Sequence, residues 1–162
     1  RRSSDLGEQM AAGGTGAAVT PGQAINTAEG SVKGRAIHLE VSDEEGTPGY
    51  RIKVIADGVP KIVKIDGNSG QVLRTEERGF IGRLFDDDDK AEADALGNAK
   101  VTLTAAIDAA EKLTGGRVVE AGIDDEGKVP GYEIETRRDG HKARVHVDAN
   151  TGRALIGDEK DG

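Results

Sequence analysis

The sequence contains no cysteine and no tryptophan. The first absence excludes disulfides, thiolate metal sites and cysteine nucleophiles together, while leaving the compartment open. The second matters for packing. With only two Phe and two Tyr, any core must be built from Val, Ile, Leu and Ala. No apolar run approaches the roughly 18 residues that a membrane-spanning helix requires. An excess of basic charge is missing too. The 22 Lys and Arg are scattered and outnumbered by 30 Asp and Glu, for a net charge of −8. Phosphate backbones need clustered cations, so nucleic acid is excluded as a partner, and no polybasic segment is present for a membrane surface. The chain opens on Arg1 instead of Met, which leads us to expect a signal or an anchor removed upstream.

What is present is a repeat. Setting Tyr132 over Tyr50 gives a shift of 82 residues, and the halves then align without a gap. Over 19–73 against 101–155, 21 of 55 positions are identical, more than chance produces. Thr20 meets Thr102, Ala24-Ile25 meets Ala106-Ile107, and Ala28-Glu29 meets Ala110-Glu111. Gly34-Arg35 meets Gly116-Arg117, Asp43-Glu44 meets Asp125-Glu126, and Pro48-Gly49-Tyr50 meets Pro130-Gly131-Tyr132. The series closes with Asp57-Gly58 on Asp139-Gly140, and with Asp66, Asn68 and Gly70 on Asp148, Asn150 and Gly152.

Each copy reads as one helix followed by strands. Thr20-Pro21-Gly22-Gln23 has the residues of a capping box with Pro at the first helical position. Thr102 takes the same place in the second copy, with Thr104 as a rival cap. Gly34 and Gly116 are read as helix stops. Period-two alternation then predicts strands through Ile37, Leu39 and Val41, through Tyr50, Ile52 and Val54, and through Val63 and Ile65. Their counterparts run through Val119, Ala121 and Ile123, through Tyr132 and Ile134, and through Ala143, Val145 and Val147. Asp-Gly pairs predict tight hairpins, and a short last strand is expected around Val72-Leu73 and Leu155-Ile156. The fold class is therefore α+β: two tandem α-β-β-β(-β) modules, each a helix packed on one face of an antiparallel meander.

The order T-x-x-x-A-I-x-x-A-E, an acidic turn, G-Y-x-I, D-G and D-x-N-[ST]-G-x-x-L resembles the PepSY domain, and it occurs twice. That resemblance covers about 19–73 and 101–155. It implies an extracytoplasmic, noncatalytic module, secreted or membrane-anchored, of a family proposed to restrain peptidases. Two departures stand out: Gly30-Ser31-Val32-Lys33 is a poor helix end, and we expect no peptidase domain after the second copy.

The expected organisation is a tether over 1–18, a first module over 19–74, a linker over 75–100, a second module over 101–157 and a tail over 158–162. In the linker, Phe80, Ile81, Leu84 and Phe85 share one face at helical spacing and read as a segment docking on a module. Asp86 to Asp89 and Lys90 read as a solvated acidic run, or as the start of a helix from about 88 to 96.

Little in either copy carries chemistry. Asp66 to Gly70 and Asp148 to Gly152 resemble the opening of a calcium loop, with Glu77 and Glu159 at the twelfth position. Position five is Gly in both, and position six is Gln71 or Arg153 where such a loop needs Gly. An Asx-type turn ending in a left-handed Gly accounts for these residues without a metal. His141 and His146 are five apart on one strand and point to opposite faces, and His38 has no His or Cys neighbour in sequence. Without a paired-carboxylate cleft or a nucleophile–base pattern, no enzyme, cofactor or metal is expected. What remains is the polar face of each sheet. We expect a protein partner, a secreted peptidase first in line, to meet His38, Arg51, Lys53, Ile55, Ile62 and Lys64 of the first copy and Glu133, Glu135, Arg144 and His146 of the second. The sheets packing on each other through these faces is a competing reading. The alternative function is a sensory or structural envelope module that binds a small ligand, an ion or cell-wall material.

Overall fold

The structure is a computed structural model that describes residues 19–42, 48–77, 99–124 and 131–161. The tether, the linker segment with Phe80 to Lys90 and the acidic turns after Ser42 and Asp124 lie outside the described residues.

Helix α1 (Pro21–Val32) starts as its sequence demands. The Thr20 hydroxyl accepts from the Gln23 amide at 3.1 Å, and the Gln23 side chain accepts from the Thr20 amide at 2.9 Å. Helix α2 (Leu103–Thr114) is capped by Thr102, not Thr104, through the Ala105 amide at 3.1 Å. Each helix buries a narrow stripe: Ala24, Ile25 and Ala28 in α1, and Leu103, Ala106, Ile107 and Ala110 in α2. Small alanines on the stripe let the helices sit close to a sheet whose own buried residues are mostly Val and Ile.

Four strands follow each helix. They are β1 (Arg35–Ser42), β2 (Gly49–Ala56), β3 (Val59–Asp66) and β4 (Val72–Glu77), then β5 (Arg117–Asp124), β6 (Gly131–Arg138), β7 (His141–Asp148) and β8 (Ala154–Asp161). The last strand of each unit runs past the two residues expected of it, and β8 extends through the residues read as a tail. The Asp57-Gly58 and Asp139-Gly140 turns have positive φ at both residues (53° and 78°; 50° and 82°), the type I′ geometry that matches strand twist.

The two meanders do not face each other. They join edge to edge in one eight-stranded antiparallel sheet of order β4-β3-β2-β1-β5-β6-β7-β8. The packing of one sheet on the other is thereby corrected. At the seam Leu39 pairs with Ala121. These residues are equivalent at the 82-residue shift, so a pseudo-two-fold axis passes through that pair. Both helices cover the same side of the sheet and meet near their N-termini, where a Cβ on Gly22 would lie 3.1 Å from Thr104 Cγ2. One hydrophobic core therefore spans the chain, from Ile65 and Val63 through Leu39 and Ala121 to Val145 and Val147.

One helix signal needs correction. Gly34 and Gly116 are not the left-handed stops: Lys33 (φ 58°) and Gly115 (φ 74°) are, each closing the helix through its amide to Glu29 or Glu111. The two glycines serve close approach instead. A Cβ at Gly34 would lie 2.4 Å from the Ile55 carbonyl oxygen, and one at Gly116 2.9 Å from that of Arg137.

Candidate functional site

With the helices on one side, the other side of the sheet is open, and period-two alternation decides what it displays. Cross-strand register sets Arg74, Lys64, Arg51, Glu40, Glu120, Glu135 and Arg144 side by side in one row from β4 to β7. The neighbouring row carries Glu76, Ile62, Lys53, His38, Gly122, Glu133 and His146. Nine of the ten residues singled out from the sequence thus lie in these two rows, while Ile55, paired with Arg35 and Pro60 further along β2, packs in part against the hydrophobic core. All but one of the ten are at least partly exposed. Ile62, expected on the exposed surface, is only 5% exposed, and its register neighbours Lys53 and Glu76 are long enough to cover it.

The face is electrostatically divided. Arg51, Lys53, Lys64 and Arg74 make the outer part of the first unit basic on balance, although Glu76 lies 3.2 Å from Arg74 there. Glu40, Glu120, Glu133 and Glu135 make an acidic band at and beyond the seam, flanked again by Arg144 and His146. Within it, Glu135 lies 3.7 Å from Arg144 and 3.9 Å from Arg137. Such exposed pairs stabilise little individually, so the division matters more for what approaches the face than for folding.

The seam shows how divergence suited the two copies to each other. Glu40 stands directly opposite Glu120, an unfavourable like-charge pair. His38, the counterpart of Glu120 in the repeat, places Nε2 3.0 Å from Glu120 Oε2. Identical copies would put His against His or Glu against Glu at that diagonal. The histidines are therefore not merely solvated: His146 Nδ1 lies 2.9 Å from Glu133 Oε2 as well. His141 and His146 do point to opposite faces.

Several repeated residues prove to hold the scaffold. Glu29 accepts from the Ala36 amide at 2.8 Å and Glu111 from the Val118 amide at 2.9 Å, tying each helix to the bulge of β1 or β5. Burial pushes the Glu111 carboxyl up, against the pull of the Val118 amide. The signal in the sequence was the retention of this glutamate in both copies beside buried Ala28 and Ala110. The Asx turns form as expected. Asp66 and Asp148 each accept two backbone amides at 2.7 and 3.0 Å, and Gly70 and Gly152 are left-handed. The amides of Asn150 and Thr151 hold the Asp148 carboxyl below its ordinary range. Among the described residues no group of three or more His, Asp or Glu is placed to hold a metal. No described helix is long and apolar enough to cross a membrane.

Tyr50 donates to the Val19 carbonyl at 2.6 Å, and Tyr132 donates equivalently to that of Val101. Each thereby anchors the residue leading into its helix. Burial pushes both phenols up to about 12. A raised phenol keeps its proton in the folded state after the unfolded chain has lost it. Stability is then fully present below pH 10 and lost as pH rises towards 12. Alkaline unfolding followed by tyrosinate absorbance should show this loss, and Tyr50→Phe and Tyr132→Phe should each flatten it while lowering neutral-pH stability by about 1 kcal/mol.

The twofold α-β-β-β-β unit agrees with comparison to known proteins. A model of the PepSY domain, described as peptidase propeptide and YPEB domain, matches residues 18–76 and again 100–155. The chain belongs to the PepSY family. PepSY domains are extracytoplasmic, noncatalytic modules. A crystal structure of a candidate lipoprotein from Clostridium difficile 630 has the same fold, with a TM-score of 0.54 and 24% identity over 88% of this chain and 93% of that one. No curated protein matches the chain significantly.

Proposed function

We propose that this tandem PepSY protein works outside the cytoplasm by binding another protein on the open face of its sheet, and that it catalyses nothing itself. The observation that carries the reading is the continuous eight-stranded face, divided into a basic part over β2 to β4 and an acidic band over β1, β5 and β6. A continuous and electrostatically patterned surface selects a partner by charge complementarity and accelerates its encounter. Family membership makes a secreted peptidase the partner class to test first.

The test is inhibition and binding measured against thermolysin-type and serine peptidases at micromolar concentration, with wild type and an Arg51→Glu/Lys53→Glu variant. Arg51 stands opposite Glu40, so the reversal adds a like-charge pair there, and an unchanged circular dichroism spectrum is the control for folding. The expected result is binding that weakens with salt and falls about tenfold in the variant, mainly through association. Binding unchanged by the charge reversal would reject the face. If no peptidase of either class binds, that partner class is rejected, and a pull-down from the envelope fraction of the native organism would then identify what the face meets.

A further inference from the structure

A cavity of about 430 Å³ opens on the helix side of the second unit, between the end of α2 and the β6–β7 hairpin. Thr114 and Thr136 line it on one side, Leu113 and Ile156 offer apolar surface, and Arg138 and His141 stand at the rim. At the 82-residue shift Thr114, Thr136, Arg138 and His141 replace Val32, Val54, Ala56 and Val59 of the first unit. Leu113 replaces Ser31, and Ile156, opposite Val145, stands where the first unit has Thr75 opposite Val63, because the last strands differ by one residue in register. With Lys142 for Pro60 and Ala143 for Lys61, five positions around this cavity are polar where the first unit is apolar, and three are apolar where it is polar. Drift under a fold constraint alone has no reason to concentrate exchanges of both kinds there.

The polar wall is built to last. Thr136, 1% exposed, donates to Thr114 Oγ1 at 2.9 Å; Thr114 donates to the Ala110 carbonyl at 2.9 Å and accepts from the Gly116 amide at 3.1 Å. Arg138 lies against Gly115, where an added Cβ would meet Nη1 at 2.7 Å. Its charge partner Asp139 is 4.0 Å away, and both are largely exposed, so the pair competes weakly with a ligand.

We propose that the cavity binds a small aliphatic carboxylate, with the tail between Leu113 and Ile156 and the carboxylate on the Arg138 guanidinium beside His141. An Arg fork suits a carboxylate, and a cavity of this size suits a small ligand. Lys142 also lines the cavity, with Lys160 opposite it in the ladder, but acidic residues offset these charges, so net charge does not drive the binding. Asp139 is on the rim, and the β7–β8 ladder places Glu159 opposite Ala143 and Asp161 opposite His141. Recognition therefore rests on a directed contact to Arg138. The same chemistry could come from a free fatty acid or from the C-terminus of a peptide ending in an aliphatic residue. The site lies on the opposite side of the sheet from the proposed docking face, so failure of one leaves the other standing.

Amide chemical-shift titration of the full chain with octanoate, N-acetyl-leucine and uncharged octanamide tests the proposal. The carboxylates should shift Leu113, Thr114, residues 138–143 and Ile156, and octanamide should bind about tenfold more weakly. Arg138→Gln should bring octanoate down to the affinity of octanamide without changing octanamide itself, which a merely structural arginine would not do. Ile156→Arg should block both. Tighter octanoate than N-acetyl-leucine points to a free fatty acid, and the reverse to a peptide C-terminus. Shifts spread over both units, or equal affinities for octanoate and octanamide in the wild type, would overturn it.

Discussion

Leu39→Ala is expected to destabilise the whole protein by about 2–5 kcal/mol, the range for deleting a buried leucine side chain. Leu39 is fully buried, and its cross-strand partner at the seam is Ala121, already the smallest side chain that can pack there. Little in that partner can move to fill the space. The larger consequence is cooperative. Because the core runs through the seam, a loss at Leu39 should be felt by both units, not by the first alone. Tyr50 and Tyr132 make this measurable, since Tyr50→Phe leaves one tyrosine reporting the second unit and Tyr132→Phe leaves one reporting the first. In urea both reporters should share one transition in the parent and move together when Leu39→Ala is added. A shift seen by Tyr50 alone would mean that the two units unfold independently and that the seam is only a contact.

The second large effect concerns the chain leaving α1. Gly34→Ala should cost about 1–3 kcal/mol, the usual range for forcing extra atoms into a packed site. Its new Cβ would lie 2.4 Å from the Ile55 carbonyl oxygen and 2.8 Å from Val54 Cγ1. Neither the β2 backbone nor a buried valine can yield cheaply. One residue earlier the sign reverses. Lys33 holds the left-handed cap with a side chain, so Lys33→Gly should stabilise by about 1 kcal/mol. Thermal or urea unfolding of the two variants separates the roles: were Gly34 the left-handed cap, Lys33→Gly would bring no gain.

This pair of residues shows where reading along the chain stops. A glycine after a helix can be needed for its dihedral angles or for its lack of a side chain, and composition alone does not distinguish them. The second unit has Gly at both positions, 115 and 116, and so fits either role. Only the distance to β2 or β6 separates them. Ile62 is similar. Alternation correctly put it on the open face, yet alternation carries no information on whether the Lys and Glu beside it cover it.

The duplication, the capping box that starts the first helix, the type I′ hairpins, the Asx turns and the faces of the strands were all determined by the sequence itself. Each depends on residues close together in the chain, where capping chemistry, φ preference and side-chain period act locally. The tertiary structure decided that the two meanders join through β1 and β5, on a pseudo-two-fold axis at Leu39 and Ala121. It also decided that His38 meets Glu120, that Glu29 and Glu111 clamp the bulges, and that five polar replacements surround one cavity. The partners at the bulges lie 7 positions apart and those at the seam 82, in pairs that no local propensity selects. Strand-to-strand hydrogen bonds are much the same at every exposed edge, so the choice of edge falls to packing across the seam, which exists only once both units are folded.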